Sequence, residues 1–189
     1  MSLPHREPAS AASRQGFSLV ELLAVIAVIG LIAGIVAVDF VTSLPRAELN
    51  STVHDIAAAV GGARSDSIAR NGEFRIYYDL DANGYTVRSP FQLGGAGLAQ
   101  RDEDRAIVKR VMFPESIDLA RVTIDGLSYT EGQVFVSFSP LGSATGHTVT
   151  LRQSPADTLT TIEVLPLTGL VRFHYSDFQR EVVTEEDFD

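Results

Sequence analysis

The first pattern along the chain is an unbroken run of apolar residues from Phe17 to Val38, in which Glu21 is the single charged residue. As a helix these 22 residues would be about 33 Å long, enough to cross a hydrocarbon layer of roughly 30 Å. A buried helix of a soluble domain is rarely so apolar, and a cleaved secretory signal has a shorter core followed by small residues. The pattern therefore predicts a transmembrane helix over 17–38.

After Pro45 the apolar residues recur at steps of three and four, which is typical of an amphipathic helix. Pro45 itself predicts an interruption or a kink between the apolar half and this second half, which covers 39–72. Asn71 and Gly72 are suited to ending the helix. We expect one buried face, made by Leu49, Val53, Ile56, Val60, Ala63 and Ser67.

From residue 73 the period of the pattern shortens to two, which indicates strands. Residues 73–79 and 85–88 flank a turn at 81–84 and predict a β-hairpin. We expect 94–105, which is glycine-rich and then charged, to be a mobile loop. The predicted fold is α+β, with a long N-terminal helix packed on an antiparallel sheet within 73–189. Further strands are expected at Arg121–Ile124, Gln133–Ser139, Thr148–Arg152, Thr160–Leu165 and Leu170–Tyr175.

The sixteen residues before the apolar run contain two prolines and a cluster of serine and alanine, so they are not expected to fold. Arg6 and Arg14 favour a cytoplasmic location for this end and export of the rest. The chain of 189 residues has a formal charge of −9 and no cysteine. Without 1–16, which hold two arginines and one glutamate, 13 basic and 23 acidic residues remain, a net charge of −10. This charge disfavours nucleic acid as a partner, and the absence of cysteine excludes disulfides and thiolate chemistry.

Glu21 is the exception within the apolar run. A carboxylate in hydrocarbon is strongly unfavourable unless it is neutralised or paired. Cleavage between Gly16 and Phe17 would make Glu21 the fifth residue, close to a positively charged N-terminus, and the amine of a neighbouring chain could pair with it. The alternative is a glutamate near the bilayer surface that snorkels or becomes protonated. Gly30 and Gly34 have the GxxxG spacing that permits close helix approach, and they are equally places where the helix could bend.

The segment from Arg14 to Leu23 resembles the class III signal of type IV pilins and type II secretion pseudopilins: a glycine, an aromatic residue, an acid at the fifth position and an apolar run, in fixed order. The resemblance implies that a prepilin peptidase cuts after Gly16 and methylates Phe17. It also implies that Glu21 sets the register of each subunit in a filament. The leader 1–16 is longer than many in the family.

A second resemblance narrows the family. Segments around Ala63–Ala69, Phe138–Gly142 and Thr168–Val171 resemble the helix end and two turns of the GspH/FimT type of minor pseudopilin or pilin. Together the two resemblances imply a pilin-like fold and a minor subunit of a type II secretion pseudopilus, which is not an enzyme. They further imply an inner-membrane protein with a cytoplasmic N-terminus and a periplasmic head.

The partners that this family implies are other pilins or pseudopilins, the prepilin peptidase, the inner-membrane assembly platform and membrane lipid. Two alternatives stay open. One is a minor pilin of a type IV pilus, for assembly or DNA uptake. The other is a membrane-tethered periplasmic binding domain whose anchor is never cut, which predicts that Glu21→Ala is tolerated.

The sequence contains one candidate for a metal site and none for a catalytic site. Asp79, Asp81 and Asn83 match the first half of a calcium loop, but Pro90 stands where an EF-hand needs its bidentate glutamate. A hairpin turn that uses these residues for backbone reasons is therefore favoured, and calcium is the alternative. We expect no cofactor and no catalytic residue, because nucleophile and phosphate-binding motifs are absent and metal-ligand spacing is missing among His5, His54, His147 and His174.

Overall fold

The computed structural model of the protein describes residues 18–94 and 97–179, and the chain divides into two compact units, Met1–Thr42 and Ser43–Asp189. Helix α1 runs from Leu19 to Ala69, 51 residues in all. Residues on both sides of Pro45 are helical, so the predicted interruption there is wrong, and the alternative of a kink stays a prediction. The helix ends three residues before the predicted limit at 72.

The second half of α1 has the buried face that the spacing predicts. Ile56 and Val60 are fully buried, and Ser67, the one polar member of this face, is buried as well. Its hydroxyl donates to the backbone oxygens of Arg64 and Ser139, so no polar group is left unpaired there. The predicted face is confirmed in full for Leu49, Val53, Ile56, Val60, Ala63 and Ser67.

The C-terminal end of α1 is closed by the residues expected to end it. Asn71 adopts a left-handed conformation with φ of 48°. The amide of Gly72 donates to the oxygen of Ser67, and that of Asn71 donates to the oxygen of Ile68. This pair of bonds is a Schellman motif, in which asparagine takes the left-handed position that glycine usually occupies.

Nine strands follow the helix within the described residues. They are β1 Phe74–Asp79, β2 Gly84–Gln92, β3 Arg105–Met112, β4 Ile117–Ile124, β5 Leu127–Tyr129, β6 Gln133–Phe138, β7 His147–Gln153, β8 Thr158–Val164 and β9 Val171–His174. A short 3₁₀ helix, Asp102–Asp104, precedes β3. The hairpin and the five further predicted strands are confirmed, whereas β3 and β5 were not predicted.

The strands form two antiparallel sheets instead of the single sheet expected. One has four strands in the order β3-β2-β1-β6, and the other has five in the order β5-β4-β7-β8-β9. One hydrophobic cluster joins the buried face of α1 to both sheets and includes Tyr78, Phe138 and Ile162. Burial of these side chains supplies the main driving force for folding of the head.

The two sheets are also joined at the β1–β2 turn. Asn83, which has φ of 53°, donates from Nδ2 to the backbone oxygen of Ile117 at 2.7 Å. Its Oδ1 accepts from the backbone nitrogen of Leu119 at 2.9 Å. The side-chain amide thus pairs with β4 in the way that a peptide group of a neighbouring strand would.

Candidate functional site

The first part of α1 exposes its apolar side chains on all sides. Leu19 and Leu31 are 76% and 70% exposed, and the remaining large aliphatic residues up to Ile32 are all exposed as well. Such a surface is unfavourable in water and requires a cover of lipid or protein. Among the residues described by the structure, no helix is both long and apolar enough to cross a membrane. The transmembrane segment over 17–38 stays a prediction.

Glu21 lies in the first turn of α1, and its backbone nitrogen donates to the oxygen of Ser18. Its side chain is exposed, and a shallow groove beside it is lined by Ala24, Val25, Val28 and Ile29. The carboxylate is therefore the single charge on an otherwise apolar stretch of the described helix. Gly16 and Phe17, the predicted cleavage and methylation positions, lie outside the described residues.

The two glycines with GxxxG spacing both fall within α1. A Cβ atom built on Gly30 would meet nothing within 4 Å, so this surface of the helix is open in the described chain. The surroundings of Gly34 lie outside the described residues. A role for the pair in helix packing stays a prediction.

At the other end of α1, the two turns that resemble the GspH/FimT type converge on Arg64. The Nε of Arg64 donates to the backbone oxygen of Gly142 at 2.9 Å. A Cβ atom on Gly169 would lie only 2.7 Å from the Cδ of Arg64. Gly142 and Gly169 have φ of 85° and 60°, so both turns need glycine for their backbone conformation as well. Arg64, on the second half of the helix, thus contacts both turns.

The calcium candidates occupy the β1–β2 turn and bond to the protein itself. Asp79 accepts from the backbone nitrogen of Ala82 and from the Nε2 of Gln133. Asp81 accepts from the backbone nitrogen of Gly132, and both polar atoms of Asn83 bond to β4. The bond from Ala82 is the turn bond that the hairpin interpretation expects, whereas the bonds with Gln133, Gly132 and β4 connect the turn to other segments. The described residues contain no group of three or more histidine, aspartate or glutamate side chains placed to hold a metal.

The described histidines are packing and surface residues. His147 is buried, and burial lowers its pKa to about 4, so the ring is neutral near pH 7. His174 contacts Glu163 at 3.1 Å and stacks on Phe178. The ring of His54 meets that of Phe173 edge to face. His5 lies outside the described residues.

A cluster around Asp102 was missed by the sequence analysis. Its Oδ1 accepts from the Nη1 of Arg75 at 2.5 Å and forms an ion pair with Arg105, whose Nε lies 3.1 Å away. Its backbone oxygen accepts from the Nη1 of Arg88 at 2.8 Å. Glu73 also contacts Arg75 and Arg105. Partial burial works against the charge of Arg75, but Glu73 and Asp102 together raise its pKa overall. The charged part of the segment 94–105 therefore contacts three strands, which the prediction of a mobile loop did not anticipate.

The long helix and the sheets packed on its second half define a class of protein. An exposed apolar helical segment with one acid, followed by an amphipathic half packed on antiparallel sheets, is the architecture of a pilin-like filament subunit. Residues 12–37 match the family model of the prokaryotic N-terminal methylation motif. This range includes Gly16, Phe17 and Glu21.

A match to a second family model identifies the family of the chain. Residues 52–168, more than half of the chain, match the family model of the type II transport protein GspH. The chain therefore belongs to the GspH family, and it is a minor pseudopilin of the type II secretion system. Both turns that contact Arg64 start within the matched region.

Two solved structures of the minor pseudopilin EpsH from the type II secretion system of Vibrio cholerae are similar to this chain. One is 13% identical, with a TM-score of 0.51, and the similarity covers 70% of this chain and 97% of that one. At this identity the likeness shows a shared fold. The other is 12% identical, with a TM-score of 0.48, and covers 68% of this chain and 97% of that one. No curated protein sequence matches the chain.

Proposed function

We propose that the chain is made as a precursor, is cut between Gly16 and Phe17 by a prepilin peptidase, is methylated at Phe17 and enters the secretion pseudopilus as a minor subunit. The observation that carries this proposal is the order of the two matched regions. A methylation motif at 12–37 precedes a GspH region at 52–168, which is the order that a processed pseudopilin needs.

The exposure of the apolar helix supports a role in assembly. Its aliphatic side chains have no partner in the described chain, so they require a second environment. Lipid supplies that environment before assembly, and neighbouring helices supply it afterwards. We infer that 17–38 anchors the subunit in the inner membrane, with the N-terminus cytoplasmic and the head periplasmic, and later lies in the filament core beside other pseudopilins.

The position of Glu21 supports a role in register. A carboxylate that stays on an apolar helix needs a positively charged partner when water is removed. The new amine at Phe17 of a neighbouring subunit is such a partner, and one pairing per subunit would fix the axial position of each helix. The peptidase is needed to release that amine, and the assembly platform of the inner membrane is needed to incorporate the subunit into the filament.

N-terminal mass spectrometry of the protein from its native membrane tests the proposal. We expect a chain that begins at Phe17 and is heavier than the unmodified sequence by one methyl group. Gly16→Val should abolish the cut, and Ala12→Val, a change of similar size within the leader, should leave it intact. A wild-type chain that keeps Met1, or one that is cut after the apolar segment, would refute the proposal and favour a tethered periplasmic domain.

A further inference from the structure

The outer face of the four-stranded sheet carries arginine side chains next to aromatic rings. Along β1 the residues Phe74, Ile76 and Tyr78 are fully buried in the core, whereas the alternate residues Arg75 and Tyr77 lie on the opposite side of the strand. Tyr77 is only 5% exposed there, because the guanidinium of Arg88 covers its ring. Cross-strand register places outward-facing residues of the other strands beside them. We define the outer face by Tyr77, Thr86, Arg88, Arg110 and Phe135.

Aromatic rings hold two guanidinium groups on this face. The guanidinium of Arg88 lies over the ring of Tyr77, 4.5 Å from its centroid, and that of Arg75 lies over Phe135 at 4.6 Å. The rings of Tyr77 and Phe135 are 5.5 Å apart, and Phe135 is 45% exposed. Stacked guanidinium groups lose little further freedom when they bind a carboxylate, because their orientation is already set.

Arg88 and Arg110 line one cavity. It has a volume of about 210 Å³, and Thr86, Gln133, Asp79 and Met112 also line it. Thr86 pairs with Arg110 across the β2–β3 ladder, and Arg88 is two residues further along the same face. The β2–β3 register shifts between Val87 and Arg88, where Arg88 pairs with Ile107, so the two arginines lie on neighbouring strands on either side of a bulge and line the same cavity. An extended segment, whose alternate residues on one face repeat at about 7 Å, can reach both of them.

The charges of this cavity are only partly balanced by the protein. Arg75 and Arg105 are neutralised by Asp102 and Glu73, but Arg88 bonds to an uncharged backbone oxygen of Asp102. Arg110 is exposed and has no ion pair among the described residues. Asp79 is the one acid that lines the cavity, and its two oxygens are bonded to Ala82 and Gln133. These donors are neutral and leave the negative charge of Asp79 in place, so it offsets one of the two arginines and the cavity keeps a net positive charge in a chain whose formal charge is −9.

We propose that the outer face binds an extended acidic segment of another protein subunit, with successive carboxylates at Arg88 and Arg110. The ligand class follows from charge complementarity, because planar guanidinium groups bind carboxylates with paired hydrogen bonds. A polypeptide is favoured over a nucleic acid, since two unpaired arginines would neutralise few phosphates and the rest of the chain repels a polyanion. This binding surface adds a partner site to the proposed function. The proposed function is needed only to identify the partner as another subunit of the pseudopilus.

Fluorescence anisotropy with the full-length chain in uncharged detergent tests this surface without requiring a filament. The probe is a labelled ten-residue peptide of alternating glutamate and threonine, and the comparison peptide has glutamine in place of glutamate. Arg110→Gln is the main variant, since the side chain is exposed and should not affect folding. Arg172→Gln, which changes an exposed arginine on β9 of the other sheet, is the matched control.

We expect the glutamate peptide to bind and the glutamine peptide to bind at least about tenfold more weakly. Arg110→Gln should weaken binding by roughly three- to tenfold, and Arg172→Gln should leave it unchanged. Equal binding of both peptides, or an unchanged affinity of Arg110→Gln, would overturn the proposal. Tighter binding of labelled oligothymidylate than of the peptide, lost in Arg110→Gln, would overturn it in favour of nucleic acid. Each result is independent of N-terminal processing, so failure here leaves the proposed function standing.

Discussion

The hydroxyl of Tyr78 lies 3.2 Å from the Nε2 of His147, and both side chains are buried. The Nδ1 of His147 lies 2.8 Å from the backbone oxygen of Thr145, so Nδ1 carries the proton and Nε2 accepts from Tyr78. Burial raises the pKa of Tyr78, which keeps its hydroxyl available as a donor. The pair joins β1 of the four-stranded sheet to β7 of the five-stranded sheet by a hydrogen bond that requires a neutral imidazole.

This pairing predicts a loss of stability in acid. Burial lowers the pKa of His147 from 6.5 in the unfolded chain to about 4 in the folded one, so between these values the unfolded state binds more protons. Stability therefore falls as the pH falls from 6.5 towards 4. We expect His147 to contribute a loss of about 2 kcal/mol in the free energy of unfolding between pH 7 and pH 5. Urea unfolding of wild type and His147→Gln at both pH values measures it, and equal pH dependence would contradict the prediction.

The contact between Arg64 and Gly169 predicts a large effect from one methyl group. Gly169→Ala places a side chain at φ of 60° and brings Cβ to 2.7 Å from the Cδ of Arg64, so both strain and a clash result. We expect the free energy of unfolding to fall by about 1–3 kcal/mol. Gly61→Ala is the control, because Gly61 is helical and has open space around it. That change should stabilise the head by about 0.5–1 kcal/mol, and equal effects of the two variants would refute the argument.

The cluster around Asp102 predicts that one carboxylate holds the segment before β3. Asp102→Asn should weaken its contacts with Arg75 and Arg105, at a cost of about 1 kcal/mol because the group is partly exposed. We expect the amide of Ala99, which donates to Pro90, to exchange its hydrogen about fivefold faster. Glu103→Gln, which removes an exposed pair with Arg101, should change neither quantity. Unchanged exchange in Asp102→Asn would show that the segment is held by other contacts.

The proposed register role predicts a separation between processing and assembly. Glu21→Ala should leave the N-terminal cut and methylation intact, because the cleaved bond lies five residues earlier. Incorporation into the pseudopilus should fall at least about tenfold, measured by the fraction of the protein in sheared filaments, since an unpaired amine would remain in the apolar core. Glu115→Ala, an exposed acid of the head, is the control. Normal incorporation of Glu21→Ala would contradict the register role.

The amphipathic half of the helix and the hairpin were predictable because each depends on neighbours in the sequence. Six positions at steps of three and four define the buried face of α1, and all six are buried. The hairpin needs alternation on both sides of a short turn, and Asp79 pairs with Gly84 across it as this pattern requires. The continuity of the helix at Pro45 was not predictable, because a proline is compatible with a continuing helix when the lost hydrogen bond is tolerated.

Strands β3 and β5, which were not predicted, lack the alternation of apolar and polar residues on which the prediction of a strand depends. β3 is an edge strand with three basic residues and exposed Ile107, Val108 and Met112, so neither face shows a clean alternation. β5 has only three residues. The convergence of Arg64 with Gly142 and Gly169 joins positions far apart in the chain. The same holds for the contacts of Asp102 with Arg75 and Arg88, although Arg105 is only three residues away. No local pattern contains such contacts, although the resemblance to known turns did single out the segments around Arg64.

The bridge made by Asn83 has a mechanical consequence. Its amide ties the turn of one sheet to the first strand of the other at two points, while Tyr78 and His147 join the same sheets elsewhere. Shear between the sheets must break these bonds together and not one after another. A load applied to one sheet of the head would therefore pass to the other sheet through all three bonds, with little internal sliding.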